Sequence, residues 1–529
     1  MSALIEPEND AGPAKDVAEV TVLDAPASDS AEDRAAFFRS FTPEEHKRAV
    51  WKVDIRILWL SGCMMVIKNL GSANAANARV MQSKQPTNIQ VQLGMSDFDY
   101  NWVSSIFYIA LIICEIPSNL MLKYWKPRNW LSRIMATWGI VVACHAAMSN
   151  KEGYYVLRFV LGAMEAGLFP GIITHFSSWY RNDELEKPIM WMLSINQVSG
   201  IASSMYAYGV SYMDGMQGLS AWQWLFILEG ITTVLFAGVV FLVLPDYPGS
   251  ARSRKWLTPR EQTYLELRLM DTAPKEDDPT FNTGEVFDAL RDPRTYLFSV
   301  AHFCLNLAQY ALSWQLPTIT TSLGFVALPK NQLLNIPPCL TGIILTIIVS
   351  YLIKQAYMPR PAYVIIIITT LIVFFGILAA PLSNGGIYAA CIIATGFTAV
   401  FTVPFFAWRA SSLKGSTGTA FTTAFQLTFS QAGGVIAPQL FQAKYSADHY
   451  RVPFSICTAF LVLSLLLFFW CWWTTRQLES EINRVRRLRI KAAREGRIYD
   501  GVDAQVEDIR TAHNGRLKND SGPSVVSTV

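Results

Sequence analysis

Three ionisable side chains, Lys68, Arg158 and Glu165, interrupt long apolar stretches of this chain. A charge at bilayer depth costs several kcal/mol unless it faces a cavity or a partner, so each marks a candidate working site. Arg158 and Glu165 are seven residues apart, which on a helix sets them on one face about 10 Å apart along the axis. Further on, His302, Asn306, Gln309 and Tyr310 recur at i, i+4, i+7 and i+8, a polar stripe with Trp314 one turn beyond it. Thr395, Thr398 and Thr402 form a smaller stripe. An acid in such a place can take up a proton, a lysine or arginine can hold an anion, and a histidine can relay protons. Glu115 and Glu229 also fall in apolar stretches and read as helix-packing residues.

The elements that position these groups are set by composition. The chain is 51% hydrophobic and only 16% charged, against about 25% charged in an ordinary soluble domain, so it belongs in a membrane. A hydrocarbon core of about 30 Å needs roughly 20 apolar residues of helix. Twelve such runs can be drawn, at about 51–73, 101–122, 130–148, 154–177, 189–211, 222–244, 296–318, 334–354, 361–380, 386–408, 417–440 and 452–474. The fold class is therefore an all-α membrane protein of twelve transmembrane helices in two six-helix halves.

The expected organisation is a disordered cytosolic tail over 1–49, a six-helix bundle over 50–244 and a cytosolic central loop with short helices over 245–293. A second six-helix bundle over 294–475 and a cytosolic tail over 476–529 complete it. Lys and Arg concentrate in loops that share a side with both termini, which sets the termini inside. Thr42-Pro43 with Glu45, and Thr258-Pro259 with Glu261, each spell a capping box with an N1 proline, predicting helices that start there.

Several segments resemble the fungal anion:cation symporter branch of the major facilitator superfamily, which includes allantoate, nicotinate and pantothenate permeases. They are Glu115-Ile-Pro-Ser-Asn-Leu-Met-Leu-Lys123, the run Arg158 to Gly171 containing Gly162-Ala-Met-Glu-Ala-Gly167 and Phe169-Pro-Gly171, Ser178-Trp-Tyr-Arg181, Trp224-Leu-Phe-Ile-Leu-Glu-Gly230 and Ala437-Pro-Gln-Leu-Phe441. The resemblance covers about residues 52–476. It implies that spans 1, 4, 7 and 10 line a central cavity and that Glu165 is a proton-coupling site. Asn74, Asn77 and Arg79 stand where the family pattern expects them, which makes Asn74 a candidate substrate ligand. One departure is Gly71-Ser72, where the family usually carries an Asp-Arg pair. Lys68, four residues earlier on the same face, is expected to restore the positive charge one turn nearer the cytosol.

The substrate-binding candidates are thus Lys68, Asn74, Arg158, His302, Asn306, Tyr310, Trp314 and Thr398, with Glu165 for the proton. Lys68, Arg158 and a protonated His302 favour a substrate with a negative group, and Tyr310 and Trp314 suit a planar or apolar body. The expected function is secondary active transport of a small organic anion by alternating access, coupled to protons, and the family resemblance implies the plasma membrane. Uniport, which Gly71-Ser72 motivates, export of a metabolite, and a nutrient sensor that does not transport are the alternatives. Net charge of +3 and the lack of a basic stripe with stacking aromatics exclude a nucleic-acid partner. Six dispersed histidines and eight single cysteines offer neither a catalytic cluster nor a metal or cofactor site.

Overall fold

The computed structural model describes residues 37–494 apart from 39, 84, 181–185, 270–282, 326–328, 381–382, 414–415, 446–447 and 449. Most of the expected tails, residues 1–36 and 495–529, lies outside the described residues. Among the described residues, twelve helical spans form two six-helix halves. The first half contains span 1 (Trp59–Val80), span 2 (Asp97–Tyr124), span 3 (Pro127–Cys144), span 4 (Lys151–Glu165 and Leu168–Ser177), span 5 (Glu186–Asn196 and Val198–Val210) and span 6 (Ala221–Val243). The second contains span 7 (Pro293–Ser322), span 8 (Ile336–Lys354), span 9 (Arg360–Leu378), span 10 (Asn384–Ser412), span 11 (Ser416–Leu440) and span 12, within Arg451–Arg494.

Each half has its own apolar core, one drawn from residues between Val53 and Leu265 and the other from residues between Phe298 and Cys471. Trp314 of span 7 packs in the core of the first half, and the half-buried Phe406 of span 10 packs against both cores. Spans 4, 6, 8, 9, 10 and 12 are apolar enough along their length to cross a bilayer by composition alone. Spans 1, 2, 5, 7 and 11 instead spend positions on the Asn, Ser, Gln and Tyr side chains that bond across the bundle.

Span 1 runs seven residues past its expected end at 73, to Val80. Asn74 and Asn77 sit in its last turns, bonded to side chains of spans 5 and 6 that hold the helix together beyond the apolar run. Span 4 is broken at Ala166-Gly167, where Gly167 takes φ +84°, a conformation that a side chain strains. A Cβ there would also lie 2.3 Å from Ser118 Oγ.

Both capping boxes form, at Thr42 and at Thr258. The helices they open, Pro43–Val53 and Pro259–Leu267, dock on each other at the end where the chain enters and leaves the bundle, here the proximal end. Phe41 stacks on Tyr264 at 4.2 Å, His46 Nδ1 lies 2.7 Å from the Tyr264 hydroxyl, and Lys52 binds Glu261 at 2.7 Å. Five residues of π-helix, Asp54–Leu58, join this helix to span 1, so the expected boundary at 49 is not a break in the chain's helix. The boundary at 475 is not one either, because Arg451–Arg494 is continuous. Its basic end is used: Arg486 and Arg487 donate to the carbonyls of Ile353, Ala356 and Tyr357 and satisfy the C-terminus of span 8.

Candidate functional site

A cavity of about 150 Å³ lies between the halves. Lys68 of span 1, Glu115 of span 2, and Glu165 with Gly167 to Pro170 of span 4 form its wall on one side. His302, Asn306, Gln309 and Tyr310 of span 7, Thr402 and Phe406 of span 10, and Ser430 and Gln431 of span 11 face them. The i, i+4, i+7, i+8 stripe of span 7 therefore comes together whole, because a helix keeps such positions on one side.

The central pair is Lys68 Nζ to Glu165 Oε1, 3.4 Å apart, with side chains 15% and 6% exposed. That is longer than the 2.7–2.9 Å of a strong charge-assisted hydrogen bond, and among the described residues Glu165 Oε1 accepts no hydrogen bond. The pair is electrostatic and open to a competitor for Lys68. Glu115 Oε2 accepts from Thr428 Oγ1 at 2.7 Å, linking spans 2 and 11. Tyr310 donates its hydroxyl to Gln431 Oε1 at 2.6 Å and packs against Tyr108 with ring centres 4.8 Å apart. His302 sits among Phe401, Phe405 and Phe406, and among the described residues its Nδ1 has no hydrogen-bond partner.

The break in span 4 follows Glu165 by one residue and opens a second half-helix, Leu168–Ser177, whose first residues line the cavity. Gly167 caps it without a side-chain hydrogen bond. The first backbone N–H groups of a helix have no partner within the helix, and they carry its positive end, so this end of the cavity favours negative charge.

Four candidates lie elsewhere. Asn74 donates to Glu229 Oε2 at 2.9 Å and accepts from Ser203 Oγ at 2.8 Å, so its amide is spent inside the first half. Arg158 turns back one turn to the Tyr154 hydroxyl at 3.2 Å rather than forward to Glu165, following the lean of helical side chains toward the N-terminus. Trp314 stacks on Tyr100 at 6.0 Å and donates its indole N–H to Asn101 Oδ1 at 3.3 Å, on the distal side of the cavity. Thr398 is buried and returns its hydroxyl to the Thr395 carbonyl of its own helix at 2.8 Å.

Sequence reasoning missed Glu115 as a cavity wall, the half-helix opening at Leu168, and Phe406 and Gln431. The half-helix had a signal, a Gly followed three residues later by a Pro inside an apolar run. Glu115 had none, since its helical face says nothing about which half it meets.

At the distal end Asn101 closes the halves. Arg79 Nη1 donates to Asn101 Oδ1 at 3.3 Å, and Asn101 Nδ2 donates to the Phe441 carbonyl at 3.1 Å. Ser105 donates to the Val435 carbonyl at 2.8 Å and accepts from Gln439 at 2.9 Å.

The chain is similar to curated transporters along most of its length. It is 28% identical over 437 residues to the MFS-type transporter cnsO of Penicillium expansum, covering 81% of this chain and 83% of that protein. It is 30% identical over 308 residues to the MFS transporter prlL of a fungal species, covering 58% of this chain and 61% of that relative's length. A quinolone resistance transporter of Acinetobacter baumannii is 32% identical over 253 residues, 48% of this chain and 57% of that protein. Among solved structures, the fold matches a bacterial homolog of the human lysosomal transporter Spinster, inward-facing and unoccupied, with TM-score 0.58, 13% identity and 78% and 96% of the two chains covered. It also matches the nucleoside transporter NupG, with TM-score 0.55, 14% identity and 79% and 99% covered. The sequence pattern of the Major Facilitator Superfamily matches residues 72–438, and with twelve spans in two halves around a cavity, this chain belongs to that superfamily of membrane transporters.

Proposed function

We propose that the protein carries a small organic anion across the plasma membrane by alternating access, coupled to a proton taken up at Glu165, as in the anion:cation symporter branch. The observation that carries this reading is the loose Lys68–Glu165 pair in the wall of a cavity shared by both halves. In the empty carrier Glu165 is the counter-ion of Lys68. An incoming carboxylate competes for Lys68 and is met also by the positive end of the Leu168 half-helix. Glu165, displaced and buried, is then costly as an anion and takes a proton, since an unpaired buried charge is the expensive state. Anion and proton thus enter together. The polar stripe of span 7 and the rings of Tyr310 and Phe406 bind the rest of the substrate. With the distal face outward, the Asn101 contacts are the closed outer gate, and their opening admits the substrate from outside.

A second reading is export of a less acidic solute. It is favoured by Glu115, which gives the cavity two carboxylates to one lysine once Arg158 is found elsewhere, and the name of the similar quinolone resistance transporter points the same way.

The test is uptake of labelled small carboxylates into proteoliposomes with and without an inward proton gradient, for the parent, Glu165→Gln and Lys68→Ala. Gradient-dependent accumulation that Glu165→Gln reduces to equilibration, and Lys68→Ala abolishes, supports symport. Equilibration indifferent to the gradient in the parent supports uniport. Transport of cationic or neutral aromatics and of no acid overturns the anion reading in favour of export.

A further inference from the structure

A second concavity lies on the outside of the bundle, between spans 3 and 6 near the proximal end, with a volume of about 600 Å³. Its floor includes Ser132, Ala136 and Ala237, and Val234 and Phe241, 37% and 45% exposed, face outward along it. The two spans pack tightly deeper in the membrane: a Cβ on Gly230 would lie 2.6 Å from the Gly139 carbonyl oxygen, and one on Gly139 2.9 Å from Val234. Toward the proximal end the contact gives way, and a Cβ on Gly238 would meet nothing within 4 Å. The result is an open apolar slot that spans about 10 Å of helix from Val234 to Phe241.

Two guanidinium groups stand at the proximal mouth of this slot, each over one of its aromatic rings. Arg128 lies over the Phe241 ring at 4.6 Å and Arg133 over the Trp125 ring at 4.6 Å. Arg128 uses Nε and Nη2 on Asn129 Oδ1, and among the described residues neither arginine is within ion-pair distance of a carboxylate. The nearby Asp246 turns Oδ1 to the backbone N–H of Arg128, not to its guanidinium. Arg252 adds a third cation at the rim, donating to the Phe241 carbonyl at 2.8 Å. A guanidinium held over a ring and not spent on a carboxylate keeps N–H donors for a phosphate.

We infer that this slot is a binding site for an anionic glycerophospholipid of the proximal leaflet, its phosphate on Arg128 and Arg133 and the upper part of one acyl chain along Val234, Gly238 and Phe241. Charge complementarity selects the headgroup, and the apolar slot running from it into the bilayer selects a lipid over a free anion. The site lies on the outside of the first half and is independent of the substrate cavity and of the transport direction.

The experiment uses the purified full chain in a non-ionic detergent, with binding read by native mass spectrometry and by the shift in Tm. The probes are dioctanoyl phosphatidylglycerol, dioctanoyl phosphatidylcholine and inorganic phosphate. The variants are Arg128→Ala with Arg133→Ala, and Gly238→Trp, which fills the slot while leaving both arginines; each is first matched to the parent in lipid-free Tm and elution volume. The site predicts that phosphatidylglycerol binds and stabilises the parent, that phosphatidylcholine and phosphate do so roughly tenfold more weakly or not at all, and that both variants lose roughly tenfold in affinity. Equal binding of the two lipids, binding of phosphate as tight as that of phosphatidylglycerol, or affinity unchanged in either variant would overturn it.

Discussion

Asn101 Oδ1 in span 2 accepts the indole N–H of Trp314 in span 7 at 3.3 Å, and the guanidinium of Arg79 at the same distance. One amide thus ties both halves together on the distal side of the cavity, and Arg79 is itself held by Asp97 at 2.8 Å. Each such bond is worth about 0.5–1.5 kcal/mol. Two such bonds, from Trp314 and to the Phe441 carbonyl, cross between the halves, so Asn101→Ala is expected to raise opening of the distal end roughly 5- to 150-fold. Hydrogen exchange over residues 97–108 and 435–441 checks this, with faster exchange there and no change in span 9 as the expected outcome.

Lys68→Ala leaves Glu165 buried without its counter-ion, which costs up to about 3 kcal/mol at neutral pH. The loss of Tm should shrink at acid pH, where protonation removes the stranded charge, and the double variant Lys68→Ala/Glu165→Gln should recover most of it. A Tm that falls equally at both pH values, or additively in the double variant, would show that the pair does not interact.

Gly167→Ala is expected to cost about 1–3 kcal/mol through the left-handed backbone and the contact with Ser118. Ser118→Gly removes the clash but not the backbone strain, so it should rescue only in part. Uptake by Gly167→Ala should fall more steeply than its Tm, because the break opens the half-helix that faces the cavity. Parallel uptake and thermal-unfolding measurements on the same preparations separate the two effects.

Asn74 and Glu229 form a buried bond within the first half, beside Gly71, where a Cβ would lie 2.7 Å from Glu229 Oε1. Asn74→Leu should destabilise by about 1–3 kcal/mol, by leaving the carboxylate without its donor. Substrate affinity per folded molecule should stay within about twofold of the parent, as a residue outside the cavity predicts. Binding titrations normalised to the folded fraction decide this, and a tenfold loss of affinity would return Asn74 to the substrate site.

At the proximal end the carboxyl of Glu45 is held below the usual glutamate range, chiefly by the backbone N–H of Thr42, against some desolvation, with help from the Thr42 hydroxyl and Arg260. A depressed folded pKa means the contribution is present above the unfolded value and is lost as pH falls through the folded one. The Pro43–Val53 helix should therefore fray as pH drops below the usual glutamate range. Thr42→Ala should fray it already at neutral pH while keeping most of the pH dependence, because the backbone N–H remains, and Glu45→Gln should flatten that dependence, measured as hydrogen exchange of 43–53 corrected for intrinsic rates.

The sequence by itself determined the class, the number of spans, both capping boxes and the stripe from His302 to Tyr310. All of these are local: a bilayer's thickness fixes how long an apolar run must be, and helical periodicity fixes which residues of one span share a face. Only the tertiary structure decided which spans bring their charges to one place. Lys68, Glu165 and Glu115 meet at the cavity, while Arg158, Asn74, Trp314 and Thr398 turn instead to Tyr154, Glu229, Asn101 and the Thr395 carbonyl. Periodicity leaves open how each helix is rotated about its axis and which way a long side chain leans. Those choices are settled by packing against residues far away in sequence, as Trp314 against Asn101 and Lys68 against Glu165 illustrate.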